Sequence, residues 1–178
     1  MCMFLSLVLI MMSSTFAMAQ EKYGFKVAGV DVTGDNYLDL TEISGVSGKV
    51  SFDPNTRTLT LDNATIEIDG YNAILNQTCK DFVIELLGTN TINVTNSAGI
   101  YLCESTTIMG GSGSKLTIEN DRCAVLFESV PLEIVNCRLE VEGEWGISAN
   151  DSVAEEVLTI RNSYIEATGP TGSICDIA

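Results

Sequence analysis

The chain has 178 residues, with 24 acidic against 9 basic side chains, a net charge of −15 and no histidine. Such a surface repels nucleic acid and anionic lipid, and the missing histidine removes the commonest general base and the commonest metal ligand. The length suits one domain, and a hydrophobic content of 46% supplies enough apolar side chains for a core.

The first nineteen residues, MCMFLSLVLIMMSSTFAMA, carry no charged side chain and contain an apolar run typical of a signal peptide. The run is shorter than the ~20 residues that a membrane span needs. Ala17 and Ala19 form a small-x-small pattern, which predicts cleavage between Ala19 and Gln20. No Lys or Arg precedes the run, which leaves an uncleaved anchor as the alternative. The segment predicts export to the extracellular space, the cell surface or the periplasm, without membrane insertion after cleavage.

Residues 20–58 do not follow the periodicity of the rest of the chain and are predicted to form an N-terminal cap of β-strands. Within them, DVTGDNYLDLTE has the acidic spacing of a calcium-binding EF-hand loop, at Asp31, Asp35, Asp39 and Glu42. The flanking segments contain glycines and have the pattern of β-strands rather than of helices. This context favours an acidic loop between strands over an EF-hand. Calcium is nevertheless the candidate cofactor, and these four carboxylates are its candidate ligands.

The rest of the chain, residues 59–178, repeats a unit that starts at Leu59, Val83, Thr107, Leu132 and Leu158. Each unit has two short runs of alternating apolar and polar residues, then a small residue followed by an aliphatic one. Gly or Asn near the end of a run accepts the left-handed backbone angles that a corner needs. Three strands and three corners close one turn of a right-handed parallel β-helix, whose turns stack ~4.8 Å apart. The sequence therefore predicts an all-β solenoid of about five turns, the last one incomplete.

Stacking of equivalent positions predicts an inward ladder of aliphatic side chains, formed by Ile74, Ile100, Val125, Ile147 and Ile174. Cys79 and Cys103 are predicted to lie in the same place on successive turns. Their parallel Cβ directions suit a disulfide poorly, so buried thiols are favoured and a bridge is the alternative. Because the last unit ends within a turn, further turns or another chain are expected over that end.

Outward positions of the repeat provide the candidate binding residues. Glu67, Glu140 and Glu142 alternate with aliphatic residues, so they are predicted to face solvent, where they could bind sugar hydroxyls or calcium. Tyr71 and Trp145 come at matching corners of different turns and could form an aromatic platform for sugar rings. Solvation and corner packing are the alternative explanations. Neither paired aspartates nor an activating base is present in the pattern, so no catalytic residue is predicted.

Three motifs, SGKVSFDPNTRTLTLDNATI, LLGTNTINVTNSAGI and GGSGSKLTIEN, resemble a family of exported parallel β-helix proteins of gut Bacteroidetes and Clostridia. Members of that family are uncharacterised or similar to carbohydrate-binding domains. The motifs consist of structural glycines, asparagines and aliphatic residues. They therefore do not allow any ligand-contacting residue of the family to be assigned to a position in this chain. The resemblance implies a pectate-lyase-like helix without lyase activity, which in some members binds acidic or cellulosic polysaccharide, with calcium.

Together these patterns predict an exported, non-catalytic module whose partner is a polysaccharide or surface glycan. The alternative is a structural or adhesive solenoid that spaces other domains of a longer surface protein. A third interpretation, a polysaccharide-lyase-like enzyme, lacks the basic residue beside acids that such chemistry uses.

Overall fold

The computed structural model describes residues 20–150 and 153–177, which form seventeen short β-strands and one 3-10 helix. The strands of the repeat stack in parallel sheets and form a β-solenoid of about four turns. The fold class predicted from the repeat is therefore confirmed. The predicted number of about five turns corresponds to the five strands stacked on each face, which are separated by four intervals.

Three faces run along the solenoid, and each turn of the chain visits them in order. The first face contains the first half of β4 (Thr58–Asp69), β6 (Phe82–Leu87), β9 (Thr106–Gly110), β12 (Leu132–Val135) and β15 (Leu158–Arg161). The second face contains the second half of β4, β7 (Thr89–Thr95), β10 (Lys115–Asn120), β13 (Arg138–Glu142) and β16 (Tyr164–Thr168). The third face contains β5 (Ile74–Asn76), β8 (Ile100–Leu102), β11 (Cys123–Phe127), β14 (Trp145–Ala149) and β17 (Gly172–Cys175).

The inside of the solenoid is filled by ladders of aliphatic side chains, one from each turn. On the third face the register places Ile74, Ile100, Val125, Ile147 and Ile174 one above another. The first four have no exposed surface, so the predicted ladder is confirmed there. Burying each such side chain stabilises the fold by roughly 1.5–3 kcal/mol relative to leaving it in water. Ile174, in the last strand, is 48% exposed.

The corner between the first and second faces is made in every turn by an asparagine or glycine with positive φ: Asn63, Gly88, Gly113, Asn136 and Asn162. At Gly88 the close approach of the turn below adds a second reason for glycine. A Cβ atom there would lie 2.3 Å from the side-chain oxygen of Asn63, which accepts a hydrogen bond from the amide of Thr89. The corner residues thus fix both the backbone direction and the spacing of neighbouring turns.

A buried asparagine beside this corner joins three successive turns. Asn90 accepts a hydrogen bond from the amide of Ala64 (2.8 Å) and donates to the carbonyl oxygens of Leu87 (3.2 Å) and Lys115 (3.3 Å). We expect Asn90→Leu to lower the free energy of unfolding by about 1–3 kcal/mol, because backbone groups lose their partners. Urea denaturation measures this loss. The control Thr91→Ala, on the outward side of the same strand, should change stability by less than about 0.5 kcal/mol, and an equal loss in both variants would refute the role of Asn90.

Antiparallel strands cover the N-terminal end of the solenoid. β1 (Lys22–Val27) pairs with β2 (Val30–Thr33) and with β5, and β3 (Val46–Asp53) pairs with β4. A 3-10 helix, Leu40–Glu42, lies between β2 and β3. These strands give hydrogen-bond partners to the edges of β4 and β5, which would otherwise be open to pairing with another chain. The predicted cap, residues 20–58, occupies this end of the structure.

The predicted signal segment, residues 1–19, and its cleavage point at Ala19 lie outside the described residues. Gln20, the residue after that point, donates from its side-chain amide to Thr33 and Asp35. Within residues 20–150 and 153–177, no helix is long and apolar enough to cross a membrane. At the other end, coverage of the last turn by further turns or by another chain stays a prediction.

Candidate functional site

The acidic loop predicted as a calcium site begins with a carboxylate that already has cationic partners. Asp31 lies in β2, with one oxygen 2.7 Å from Nζ of Lys22 and the other 3.9 Å from Nζ of Lys26. The hydrogen bond from Lys22 holds the pKa of Asp31 below its usual range. The charge of Asp31 is therefore already balanced by two lysines.

The other predicted calcium ligands also have separate surroundings. Asp35 accepts a hydrogen bond from Gln20, and Asp39 caps the 3-10 helix by accepting from the amide of Thr41 at 3.0 Å. Glu42 lies in the helix itself. Among the described residues, no three acidic or cysteine side chains converge in a way that could hold a metal ion. The structure therefore does not bring the four predicted ligands together.

The predicted outward glutamates all lie on the second face, away from Trp145. The register places Glu67, Asn93, Glu119 and Glu142 in one column, with Glu67 and Glu142 exposed. Glu140 lies in the neighbouring column and is paired with two cations. Its carboxylate contacts Arg138 and lies 2.5 Å from Nζ of Lys115.

This pairing predicts part of the pH dependence of stability. The hydrogen bond from Lys115, followed by that from Arg138, lowers the pKa of Glu140 in the folded chain. A group with a depressed folded pKa stabilises the fold above its unfolded pKa, and this contribution is lost as pH falls through the folded pKa. We expect Glu140→Gln to show a smaller difference in free energy of unfolding between pH 6 and pH 3, measured by urea denaturation. The effect is modest because the pair is near solvent.

Glu142→Gln is the matched control, since Glu142 lies on the same strand and has no ion pair within the described part of the chain. Its difference between the two pH values should equal that of the unmodified protein. An equal change in the two variants would show that total charge, rather than the Glu140 pairing, sets the acid sensitivity.

An open groove with a volume of about 680 Å³ runs along the third face. We call it the axial groove, because residues from the five stacked strands of the third face, or from the residues next to them, line it. Its lining includes Asn72, Ser97, Tyr101, Arg122, Trp145 and Asp176. These residues lie in, or within three residues of, the strands of the third face, so the parallel register of that face fixes their order.

Aromatic and aliphatic side chains form the apolar part of the axial groove. Trp145 begins β14 and is half-buried, with its amide donating to the carbonyl oxygen of Arg122 at 2.9 Å. Tyr101 and Leu126 are outward neighbours on successive turns. The ring faces in this groove are large apolar surfaces of the kind that pack against the faces of sugar rings.

A carboxylate holds Tyr101 in place at the side of the axial groove. The phenol of Tyr101 donates a hydrogen bond to Glu128, and the other oxygen of Glu128 accepts from the side chain of Asn150 at 3.2 Å. The hydrogen bond to Glu128 raises the pKa of Tyr101 above its usual value. Glu128 thereby connects a strand in the middle of the groove with the segment that follows β14.

The polar lining of the axial groove includes amides and a hydroxyl from the first two turns. Asn72 accepts hydrogen bonds through its side-chain oxygen from the hydroxyl of Ser97 (2.6 Å) and from the amide of Ala98 (3.0 Å). Its side-chain nitrogen makes no hydrogen bond within the described residues. Arg122, exposed at the rim, likewise has no ion pair within them. Both groups are donors available to hydroxyl oxygens of a ligand.

The two aromatic residues predicted as a platform are not brought together. Tyr71 is 60% exposed at the first turn and does not line the axial groove, whereas Trp145 lies three turns further on. The ring of Tyr71 covers Gly29, where a Cβ atom would lie 2.8 Å from it. The platform predicted from the sequence did not include Tyr101. It follows Ile100 of the inward ladder, and this outward phase could have identified it.

Cys79 and Cys103 lie in the connections before β6 and β9, each three residues before the paired residues Phe82 and Thr106. Counted from β5 and β8, which pair Asn76 with Leu102, they are instead offset by two residues, because the connection from β5 to β6 is the longer one. The stacking of the two cysteines therefore stays a prediction. Both cysteines are free thiols, and burial raises the pKa of each.

Comparison with known proteins adds no assignment to this geometry. No family model matches the chain, and no curated protein or solved structure matches it. The resemblance to exported β-helix proteins therefore stays a prediction, and the axial groove has to be interpreted from its own residues.

Proposed function

We propose that the protein is an exported, non-catalytic module that binds a polysaccharide or surface glycan in the axial groove. The observation that carries this proposal is the combination of Trp145 and Tyr101 with the amides of Asn72 and Asn150 in one open groove. Sugar rings present apolar faces and hydroxyl edges, so they need aromatic surface and hydrogen-bonding side chains within reach of one another.

The chemistry of the groove favours binding over hydrolysis. Cleavage of a glycosidic bond generally uses two carboxyl groups that flank the bond. Of the two carboxylates that the described residues place at the groove, Asp176 lines it and Glu128 is held at its side by hydrogen bonds from Tyr101 and Asn150. A binding role needs no such pair and uses the donors and rings that the groove contains.

The single tryptophan of the chain gives a direct test, because Trp145 lines the groove. The purified protein would be titrated with soluble pectin, xylan, mannan and β-glucan while tryptophan emission is recorded. Affinity electrophoresis in gels that contain the same polysaccharides would be run in parallel. We expect a saturable change in emission and retarded migration with at least one polysaccharide. If both readouts stay flat with all four, the groove is not a site for these glycans, and the structural or adhesive solenoid becomes the better interpretation.

Calcium is tested separately from the glycan. Thermal unfolding would be measured with calcium and with a chelator, because an ion that binds only the folded chain raises its melting temperature. A rise that Asp39→Asn abolishes would support the acidic loop, whereas an unchanged melting temperature would argue against calcium as a cofactor.

A further inference from the structure

The lining of the axial groove repeats once per turn of the solenoid. Asn72 belongs to the first turn, Ser97 to the second, Arg122 to the third and Trp145 to the fourth. Neighbouring strands of a parallel sheet lie ~4.8 Å apart, so the five contributing strands, separated by four intervals, extend over about 19 Å. The lining of the groove, which has a volume of about 680 Å³, thus extends along the solenoid axis.

We infer that the axial groove binds the interior of a linear, unbranched glycan chain, which runs parallel to the solenoid axis. The inference rests on the proposed function and specifies its ligand. A length of about 19 Å accommodates roughly four extended sugar units, or about one unit for each turn. Recognition of a single terminal sugar would use one or two turns and would leave the remaining lining residues without a role.

Both long sides of the groove are held in place by hydrogen bonds, which supports one orientation of the bound chain. On one side, Asn72 binds Ser97 of the next turn. On the other side, Glu128 binds Tyr101 and Asn150, which belong to turns below and above it. These contacts join successive turns along the solenoid axis. They hold the two sides of the groove in place, and the groove stays unobstructed along its length. A branch on the sugar chain would meet one of these sides.

The inference predicts that affinity depends on chain length. Cello-, manno-, xylo- and galacturonic oligosaccharides of one to six units would be titrated against the full protein, with Trp145 emission as the readout. We expect the affinity for at least one series to rise about three- to tenfold for each added unit, as one new hydrogen bond per turn provides. The rise should end at about four units, where the groove is filled.

A variant at the end of the groove distant from Trp145 tests where the bound oligosaccharide lies. Short oligosaccharides that reach Trp145 do not reach Asn72, whereas longer ones do. We expect Asn72→Ala to lower the affinity for four to six units by about three- to tenfold and to leave the affinity for two units unchanged. Asn96→Gly is a second variant for the same end, because Asn96 lines the groove with a positive φ of 63°, which glycine adopts freely. Thermal unfolding of each variant confirms that it folds.

The outcomes separate this inference from the proposed function. Equal affinity for one unit and for six units would overturn the inference and leave glycan binding itself in place. Binding of a branched oligosaccharide as tightly as its linear core would also overturn it. Absence of binding for every oligosaccharide and every polysaccharide would overturn both the proposed function and the inference.

Discussion

Phe82→Ala lowers the free energy of unfolding by about 3–5 kcal/mol, the loss expected for a large aromatic residue removed from a core. Phe82 begins β6 and has no exposed surface. Its ring centroid lies 4.7 Å from that of Phe25 and 6.3 Å from that of Phe52. The three rings join the first turn of the solenoid to the antiparallel strands that cover it. Truncation therefore leaves a cavity where the two parts of the structure meet.

Urea denaturation followed by circular dichroism measures this loss, and Val83→Ala is the matched control. Val83 is the next residue of the same strand and faces outward, half-buried, so its truncation should cost about 1 kcal/mol or less. If Phe82→Ala instead produced a separate early transition, the covering strands would be unfolding independently of the solenoid. A loss in Phe82→Ala no larger than that in Val83→Ala would refute the role of the aromatic cluster.

We expect Trp145→Ala to raise the dissociation constant for any polysaccharide that binds under the proposed function by about 10- to 100-fold. The reason is that the ligand loses the apolar surface of the largest side chain in the axial groove, worth roughly 1.5–3 kcal/mol. Because the substitution removes the fluorescent residue, the affinity has to be measured by retardation in polysaccharide-containing gels. The melting temperature should change little, since Trp145 is only half-buried.

Tyr71→Ala is the matched control for Trp145→Ala. Tyr71 is an exposed aromatic residue at a corner of the same solenoid, and it lies outside the groove lining. Its truncation should leave the dissociation constant unchanged. If the two variants weakened binding equally, the aromatic platform predicted from the sequence would be the better description. If neither weakened binding, the ligand would lie on another face.

Periodicity was sufficient to predict the solenoid because each turn must bury its own aliphatic residues against the next. Ile74, Ile100, Val125 and Ile147 recur at nearly constant spacing, and the structure stacks them with no exposed surface. The corner asparagines and glycines were equally informative, since positive φ restricts the residue types that fit. Residue types that recur in every turn can therefore be recognised from the sequence alone.

The site was less predictable, because its residues recur in position but not in type. Asn72, Arg122 and Trp145 share no chemical property that would mark them as one group, and only the stacking of turns brings them into the same groove. Connections between strands also vary in length, since the one from β5 to β6 is two residues longer than the one from β8 to β9. Such a difference shifts side chains relative to their neighbours on the next turn.

The sequence by itself determined the all-β class, the repeat and the inward ladder. Each of these depends on short-range alternation or on composition, which the order of residues specifies directly. Only the tertiary structure decided that Glu67, Glu140 and Glu142 face away from Trp145, and that Tyr101 joins Trp145 in one groove. The face on which a residue lies depends on the number of corners that precede it, and this number is set by the folded path of the chain.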